Sequence, residues 1–145
     1  CLCQTERAFN DLVGVLSIHN NQKPLILQQF IGTSYGRDLR VFVLDGEVIG
    51  CMKRTAKNSF KANFSMGGDV EPYPVNDEIR DLSIRTAQLF GLDIAGIDLL
   101  FAPKGFMVCE ANSSPGFKGM ELVTNDDIAS KILLFIKRKL EENKK

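Results

Sequence analysis

An α+β fold, an antiparallel sheet with flanking helices, is predicted by three observations. The stretches 39–54 and 95–111 each read as a β-hairpin. Each is followed by one segment of helical periodicity, 77–90 and 127–140, and hairpins interleaved with single helices build a sheet covered by helices. The composition, 44% hydrophobic and 25% charged over 145 residues, is an ordinary globular mixture with apolar material enough for one core.

The elements follow in order. Thr5 reads as the N-cap of a first helix, whose Phe9, Leu12, Val13 and Leu16 recur at i, i+3, i+4 and i+7. The loop 20–24, closing on Pro24, ends it. The apolar run 25–31 is expected to be a buried strand and 32–36 a loop. Residues 39–44 and 47–54 flank Asp45-Gly46, which suits a two-residue type I′ turn because both central positions need positive φ. With Leu44 facing Glu47, regular alternation puts Asp38, Arg40 and Phe42 on one face with Ile49, Cys51 and Lys53. Arg37 and Arg54 then fall on the other. Polar groups gather at the end of this ladder away from the turn, as a site or as a solvated strand end. The polar stretch 55–74, with Gly67-Gly68 near its middle, is assigned to no element. Asn76 caps the next helix, Asp77 and Glu78 complement its dipole, and Ile79, Leu82, Thr86, Leu89 and Phe90 form its inner stripe before the Gly91 stop. The last helix carries Ile128, Ile132, Phe135 and Ile136, and its closing turns are basic.

Charge and cysteine usage narrow the classes. Eighteen basic and eighteen acidic side chains cancel, so no bulk field draws nucleic acid or an anionic membrane; any grip on phosphate must be local. Cys1, Cys3, Cys51 and Cys109 have neither a zinc spacing nor the density of a disulfide scaffold, and the sole histidine is His19. Reduced thiols are expected. No apolar run approaches ~18 residues and no signal-peptide pattern opens the chain, so a soluble, cytoplasmic protein is expected. The chain starts Cys1-Leu2-Cys3 without methionine, as a fragment, a processed product or a trimmed piece would.

The chemistry concentrates in the second hairpin. Asp98 interrupts the apolar run 97–101, and Glu110 and Asn112 interrupt 106–112. An isolated buried carboxylate is costly unless paired, protonated or bound to a metal. With 103–105 as a three-residue loop, Ala102 faces Phe106, Leu100 faces Val108, and Asp98 sits opposite Glu110. Opposed Cβ atoms lie about 4.5–5.5 Å apart, close enough for two carboxylates to share a cation, and Asn112 projects to the same face. Such a hard, all-oxygen set suits magnesium or manganese rather than zinc. A shared proton or a salt-bridged cluster is the alternative way to neutralise facing carboxylates. The following Ser113-Ser114-Pro115-Gly116-Phe117 offers hydroxyls, a rigid turn and a glycine, and is a candidate cradle for a substrate carboxylate or else an ordinary loop. Arg37, Arg40, Lys53, Arg54, Lys57 and Lys61 fall within 25 residues, as counter-charges for a triphosphate or as a solvated basic edge. No Ser–His or Cys–His pair is evident.

Five motifs in series resemble one family. Gln28-Gln29-Phe30-Ile31, Gly36-Arg37-Asp38-Leu39-Arg40-Val41, Phe60-Lys61-Ala62-Asn63 followed by Gly67-Gly68, Ala95-Gly96-Ile97-Asp98-Leu99-Leu100 and Glu110-Ala111-Asn112-Ser113-Ser114-Pro115-Gly116 occur in the order seen in RimK-like ATP-grasp ligases. The resemblance covers nearly the whole chain. It implies an ATP-grasp fold of which residues 1–145 form a single-domain portion, the C-terminal subdomain, lacking the upstream glycine-rich loop and phosphate-binding lysine. Gln29 and Phe30 match the hinge whose backbone holds adenine, although glutamate is commoner where Gln29 stands. Asp38 matches a nucleotide-contacting aspartate on the ribose side. Lys61, Ala62 and Asn63 match an ATP-contacting segment that usually begins with arginine; lysine keeps the charge and loses the bidentate fork. Asp98, Glu110 and Asn112 match the metal ligands, and Ser113, Ser114 and Gly116 are assigned to the substrate. Arg40 is assigned the catalytic role of stabilising the transferred phosphoryl group or acyl phosphate.

The reaction implied is ligation of a carboxylate to an amine, with ATP and two Mg²⁺ or Mn²⁺ ions as cofactors. ATP phosphorylates the carboxylate, and the amine displaces phosphate from the acyl phosphate. Glutamate ligation is expected, because the 113–117 stretch looks more like that group. The partners implied are ATP, a glutamate-like amino acid and a carboxylate-bearing acceptor such as a protein C-terminus, without nucleic acid or membrane, a homo-oligomer being allowed. A non-catalytic nucleotide-binding module, an amino-acid-carrier ligase of the lysine-biosynthesis type and a plain interaction domain are the competing readings. Without the upstream region, the chain alone is expected to turn over poorly or not at all.

Overall fold

The computed structural model describes residues 1–19, 24, 26–57 and 68–143. The chain divides into two compact units, Cys1–Phe30 and Ile31–Lys145. Among the described residues, no helix is long and apolar enough to cross a membrane.

The first unit holds helix α1, Glu6–His19. Thr5 caps it as expected: its Oγ1 accepts from the Ala8 N–H at 3.1 Å, and its carbonyl accepts from the Phe9 N–H at 3.0 Å. The strand expected at 25–31 does not form. Residues 26–31 are coil, with Ile26 86% and Leu27 67% exposed, and Leu25 lies outside the described residues. A strand needs a neighbour for its backbone N–H and C=O groups, and among the described residues none pairs with this run.

The second unit is an α+β layer built on one five-stranded sheet. Strands β1 (Arg37–Leu44), β2 (Glu47–Thr55), β3 (Asp69–Pro72), β4 (Ile94–Phe101) and β5 (Phe106–Asn112) lie in the order β3-β2-β1-β4-β5. Every neighbouring pair is antiparallel. Helices α2 (Asp77–Leu89), α3 (Lys118–Thr124) and α4 (Ile128–Glu142) complete it, with a 3-10 turn at Gly32–Ser34. Strand β3 and helix α3 occupy stretches whose sequence pattern signalled no element.

The Asp45-Gly46 turn is the expected one, with φ of 53° and 76°, and Leu44 pairs with Glu47. Further along, the register departs from regular alternation. Val43 pairs with Val48, but Phe42 pairs with Gly50, leaving Ile49 as the surplus residue of a β-bulge. One extra residue exchanges the faces of everything beyond it. Cys51 and Lys53 therefore leave the face of Arg40 and Phe42, while Met52 and Arg54 join it, the reverse of the expected arrangement for Cys51, Lys53 and Arg54.

The central strands of the sheet are buried on both faces. On one, Leu39, Val41, Val43, Cys51, Ala95, Ile97 and Leu99 pack with Ile79 and Ala87 of α2. Burial pushes the Cys51 thiol up to about 12, so it remains neutral and inert at physiological pH. On the other, Phe42 and Met52 pack with Met120 of α3 and Ile128 of α4. Helix α2 buries Ile79, Ser83 and Ala87 rather than its full expected stripe. Leu89 lies off that line, Phe90 is already the C-cap, and they are 81% and 63% exposed.

Asn76 caps α2, its Oδ1 accepting from the Ile79 N–H at 2.8 Å, and Gly91 beyond the end has φ of 61°. Asn76→Ala is expected to lower the unfolding free energy by about 1 kcal/mol. Urea denaturation should show this as a lowered midpoint at unchanged slope.

Candidate metal and phosphate site

The polar end of the sheet assembles from cross-strand neighbours. Asp38 on β1 faces Arg54 on β2, Arg40 on β1 faces Asp98 on β4, and Asp98 faces Glu110 on β5. Alternation puts all five on one face. Arg54 Nε and Nη2 donate to Asp38 Oδ1 and Oδ2 at 2.6 and 2.7 Å. Its Nη2 also donates to Asp98 Oδ2 at 2.8 Å. Arg40 Nη2 donates to the same Oδ2 at 2.9 Å, and its Nε to Oδ1. The result is a ladder of alternating charge across three strands, with side chains only 6% (Arg54), 14% (Asp38), 12% (Arg40) and 9% (Asp98) exposed. Burial pushes the Asp38 carboxyl above its ordinary range, against the pull of its Arg54 bonds. Burial disfavours the Arg54 charge, but its bonds to Asp38 and the two carboxylate charges outweigh this and hold it firmly protonated.

Asp98 and Glu110 face each other as expected, by a different route. The connection is a four-residue loop, with the Ala102 N–H donating to the Gly105 carbonyl at 3.1 Å. Phe101 therefore faces Phe106 and Leu100 faces Met107, one residue out of the expected register. A second bulge, with Cys109 as its surplus residue, restores the opposition of Asp98 and Glu110. Helix α2 fixes the tip of this hairpin, Glu78 Oε1 accepting from the Phe106 N–H at 2.9 Å. Cys109 itself is exposed, and its thiol is pushed up by partial burial and by the nearby Asp98 and Glu110 carboxylates.

Asn112, on the same face as Glu110, accepts from the Ser114 N–H at 2.8 Å and so shapes the loop that follows. Gly96, beneath that loop, permits the close approach: a Cβ there would lie 2.6 Å from Pro115 Cβ and 3.0 Å from Arg40 Nη1. Pro115 is buried, whereas Ser113, Ser114 and Gly116 are exposed beside the charge ladder's loop end.

The other candidates fall elsewhere. Gln29 and Phe30 lie in exposed coil of the first unit. Lys61, Ala62 and Asn63 lie outside the described residues. Arg37 donates to the Thr33 carbonyl at 3.1 Å and stacks over Phe101, 4.8 Å from its centroid. Lys53 pairs with Glu71 at 2.7 Å and Lys57 lies 3.4 Å from Asp69. Among the described cations of that sequence cluster, only Arg40 and Arg54 reach Asp38 or Asp98. The role of Arg54 is what sequence reasoning missed. Gly50, an isolated glycine inside a strand pattern, is the signal that could have revealed the bulge.

Among the described residues, no three acidic, histidine or cysteine side chains converge on one point. The oxygens on this face that a cation could take, once Asp98 gives up guanidinium bonds, are those of Asp98, Glu110 and the Asn112 amide, all hard donors. They fit magnesium, which keeps water and takes oxygens from a phosphate ligand. Asp98 is itself salt-bridged, as the alternative reading of the pair allowed.

The RimK-like ATP-grasp domain matches residues 1–136. The chain belongs to that family. It is 34% identical over 145 residues to a protein of Aeromonas salmonicida named as a probable alpha-L-glutamate ligase, covering 99% of this chain and 48% of the relative. A protein of the same name from Hydrogenovibrio crunogenus is 42% identical over 126 residues, 86% of this chain and 42% of the relative. Among solved structures, the ATP-grasp ligase PsnB, complexed with a phosphomimetic variant of its minimal precursor, Mg and ADP, is similar with a TM-score of 0.61 and 28% identity. That match covers 78% of this chain and 34% of PsnB, in keeping with an α+β ATP-grasp fold. The chain thus spans about half the length, or less, of the relatives it matches.

Proposed function

We propose that this chain supplies the cation-binding and phosphate-facing portion of an ATP- and Mg²⁺-dependent ligase that joins the amine of glutamate to a carboxylate-bearing acceptor, such as a protein C-terminus. The observation that carries this reading is the opposition of Asp98 and Glu110 across one ribbon, with the Arg40 guanidinium on the same face. Family membership and the names of its relatives support it.

In this reading an oxygen of the acceptor carboxylate attacks the γ-phosphorus of ATP, and ADP leaves. The glutamate amine then attacks the acyl carbon, loses a proton and expels phosphate, so that ATP, acid and amine become ADP, phosphate and amide. Asp98, Glu110 and Asn112 hold Mg²⁺, two ions in all; bound there, it neutralises charge on the phosphates. Arg40 stabilises the charge on the transferred group. Ser113, Ser114 and Gly116 face the substrate carboxylate. Gln29, Phe30, Asp38, Lys61, Ala62 and Asn63 keep the nucleotide-contacting roles that the family resemblance implies for each, Asp38 while paired with Arg54. Residues 1–145 act as one portion of an ATP-grasp domain in a cytoplasmic enzyme.

The test grafts this chain into the Aeromonas relative in place of the matching segment. The hybrid is expected to release ADP in a glutamate- and acceptor-dependent manner, and Glu110→Gln to lower kcat about a hundredfold or more. Mn²⁺ binding to the isolated chain, read by electron paramagnetic resonance, is the independent check, and should be lost in Asp98→Asn. ADP release indifferent to glutamate, or Mn²⁺ binding indifferent to Asp98 and Glu110, would refute the reading.

A further inference from the structure

Asp98 holds more donors than it can keep if it also ligates a cation. Its Oδ1 accepts from Arg40 Nε, and its Oδ2 accepts from Arg40 Nη2 at 2.9 Å and from Arg54 Nη2 at 2.8 Å. The two guanidiniums are tethered differently. Arg54 is moored on Asp38, which takes bonds from both its Nε and its Nη2 at 2.6 and 2.7 Å. Among the described residues, both hydrogen bonds of the Arg40 side chain go to Asp98. Its Nη1 already lies over Gly96, beside the loop that carries Ser113, Ser114 and Gly116.

Resting on the metal reading above, we propose that Arg40 and a divalent cation are alternative partners of Asp98. When Asp98 turns its oxygens to the cation, Arg40 is released toward an anionic ligand, a phosphate or acyl phosphate. Arg54, held by Asp38, stays in place and acts as a positioning residue for Asp98. The reason is electrostatic. A cation on Asp98 repels the Arg40 guanidinium at close range, and a shielded guanidinium without a counter-anion is costly. That cost is offset only when an anion takes the released charge. Cation and phosphate therefore strengthen each other's binding, by the same factor in both directions. Arg40 is thus a built-in sensor that favours the cation–phosphate pair over either ligand alone.

The test follows the side-chain Nε–H signals of Arg40 and Arg54 by nuclear magnetic resonance in the 15N-labelled chain, during titration with Mg²⁺ and then inorganic phosphate. Mg²⁺ is expected to shift the backbone amides of Asp98 and Glu110 and to strip the Arg40 Nε–H of its protection from solvent exchange, leaving the Arg54 Nε–H unmoved. Phosphate should restore that protection only when Mg²⁺ is present, and should tighten Mg²⁺ about tenfold. In Arg40→Gln, Mg²⁺ should bind more tightly without phosphate, and phosphate should tighten it less than in the unaltered chain. If Mg²⁺ moves the Asp98 and Glu110 amides but leaves the Arg40 signal alone, the exchange proposal fails and the metal reading stands. If it moves neither, both fall.

Discussion

Replacing Arg54 with methionine is expected to destabilise the sheet by about 3–5 kcal/mol, seen as a lowered urea midpoint. The guanidinium neutralises Asp38 and Asp98 where water hardly reaches, its side chain being 6% exposed and theirs 14% and 9%. Removing it leaves two shielded carboxylates with Arg40 as their only close cation among the described residues. Arg54→Lys should recover part of the loss, because one ammonium cannot meet both oxygens of Asp38 and reach Asp98 as well. The effect carries a definite pH sign. Burial pushes the Asp38 carboxyl above the ordinary 3.8, and Arg54 pulls it back. An acid with a raised folded pKa favours the folded state below its unfolded value, and that advantage is lost as pH rises through the folded value. Without Arg54 the folded value climbs further, so the deficit of Arg54→Met should be larger at about pH 7 than at about pH 4. A deficit that ignores pH would show that Asp38 does not carry it.

Phe42→Ala is the other large expected loss, again about 3–5 kcal/mol by urea denaturation. Phe42 is fully buried, and its partners on both neighbouring strands are glycines, Gly50 on β2 and Gly96 on β4. Its ring packs edge-on to Phe117 at 6.4 Å and against Met120 and Ile128. Neither flanking glycine has a side chain that could lean into the space left by alanine, which places the loss in the upper part of the range. Phe42→Leu should recover much of it. A cost below about 1 kcal/mol for Phe42→Ala would mean that α3 and α4 close the gap by moving inward.

Some of this architecture was legible because its determinants are local. Asp45-Gly46 specifies its turn by backbone chirality alone, and Asn76 with Gly91 brackets α2 through hydrogen bonding and positive φ. The facing of Asp98 and Glu110 was legible too, although its derivation assumed a three-residue loop and an unbroken ladder. The longer loop and the Cys109 bulge are two departures that cancel. At Ile49 nothing cancels, and regular alternation sent Arg54 to the wrong face. A bulge answers to packing across strands, here the need to seat Gly50 under Met120, and leaves little trace in hydrophobic pattern. The run 25–31 misled for the complementary reason: apolar content marks what could be buried, but pairing partners decide whether a strand exists.

The charge ladder also ties together strands that share no backbone bond. Asp98 on β4 accepts from Arg54 on β2, reaching across the whole width of β1. Peeling β2 away would unseat Asp98 as well as Asp38, so this end of the sheet opens cooperatively, as one patch, instead of fraying strand by strand.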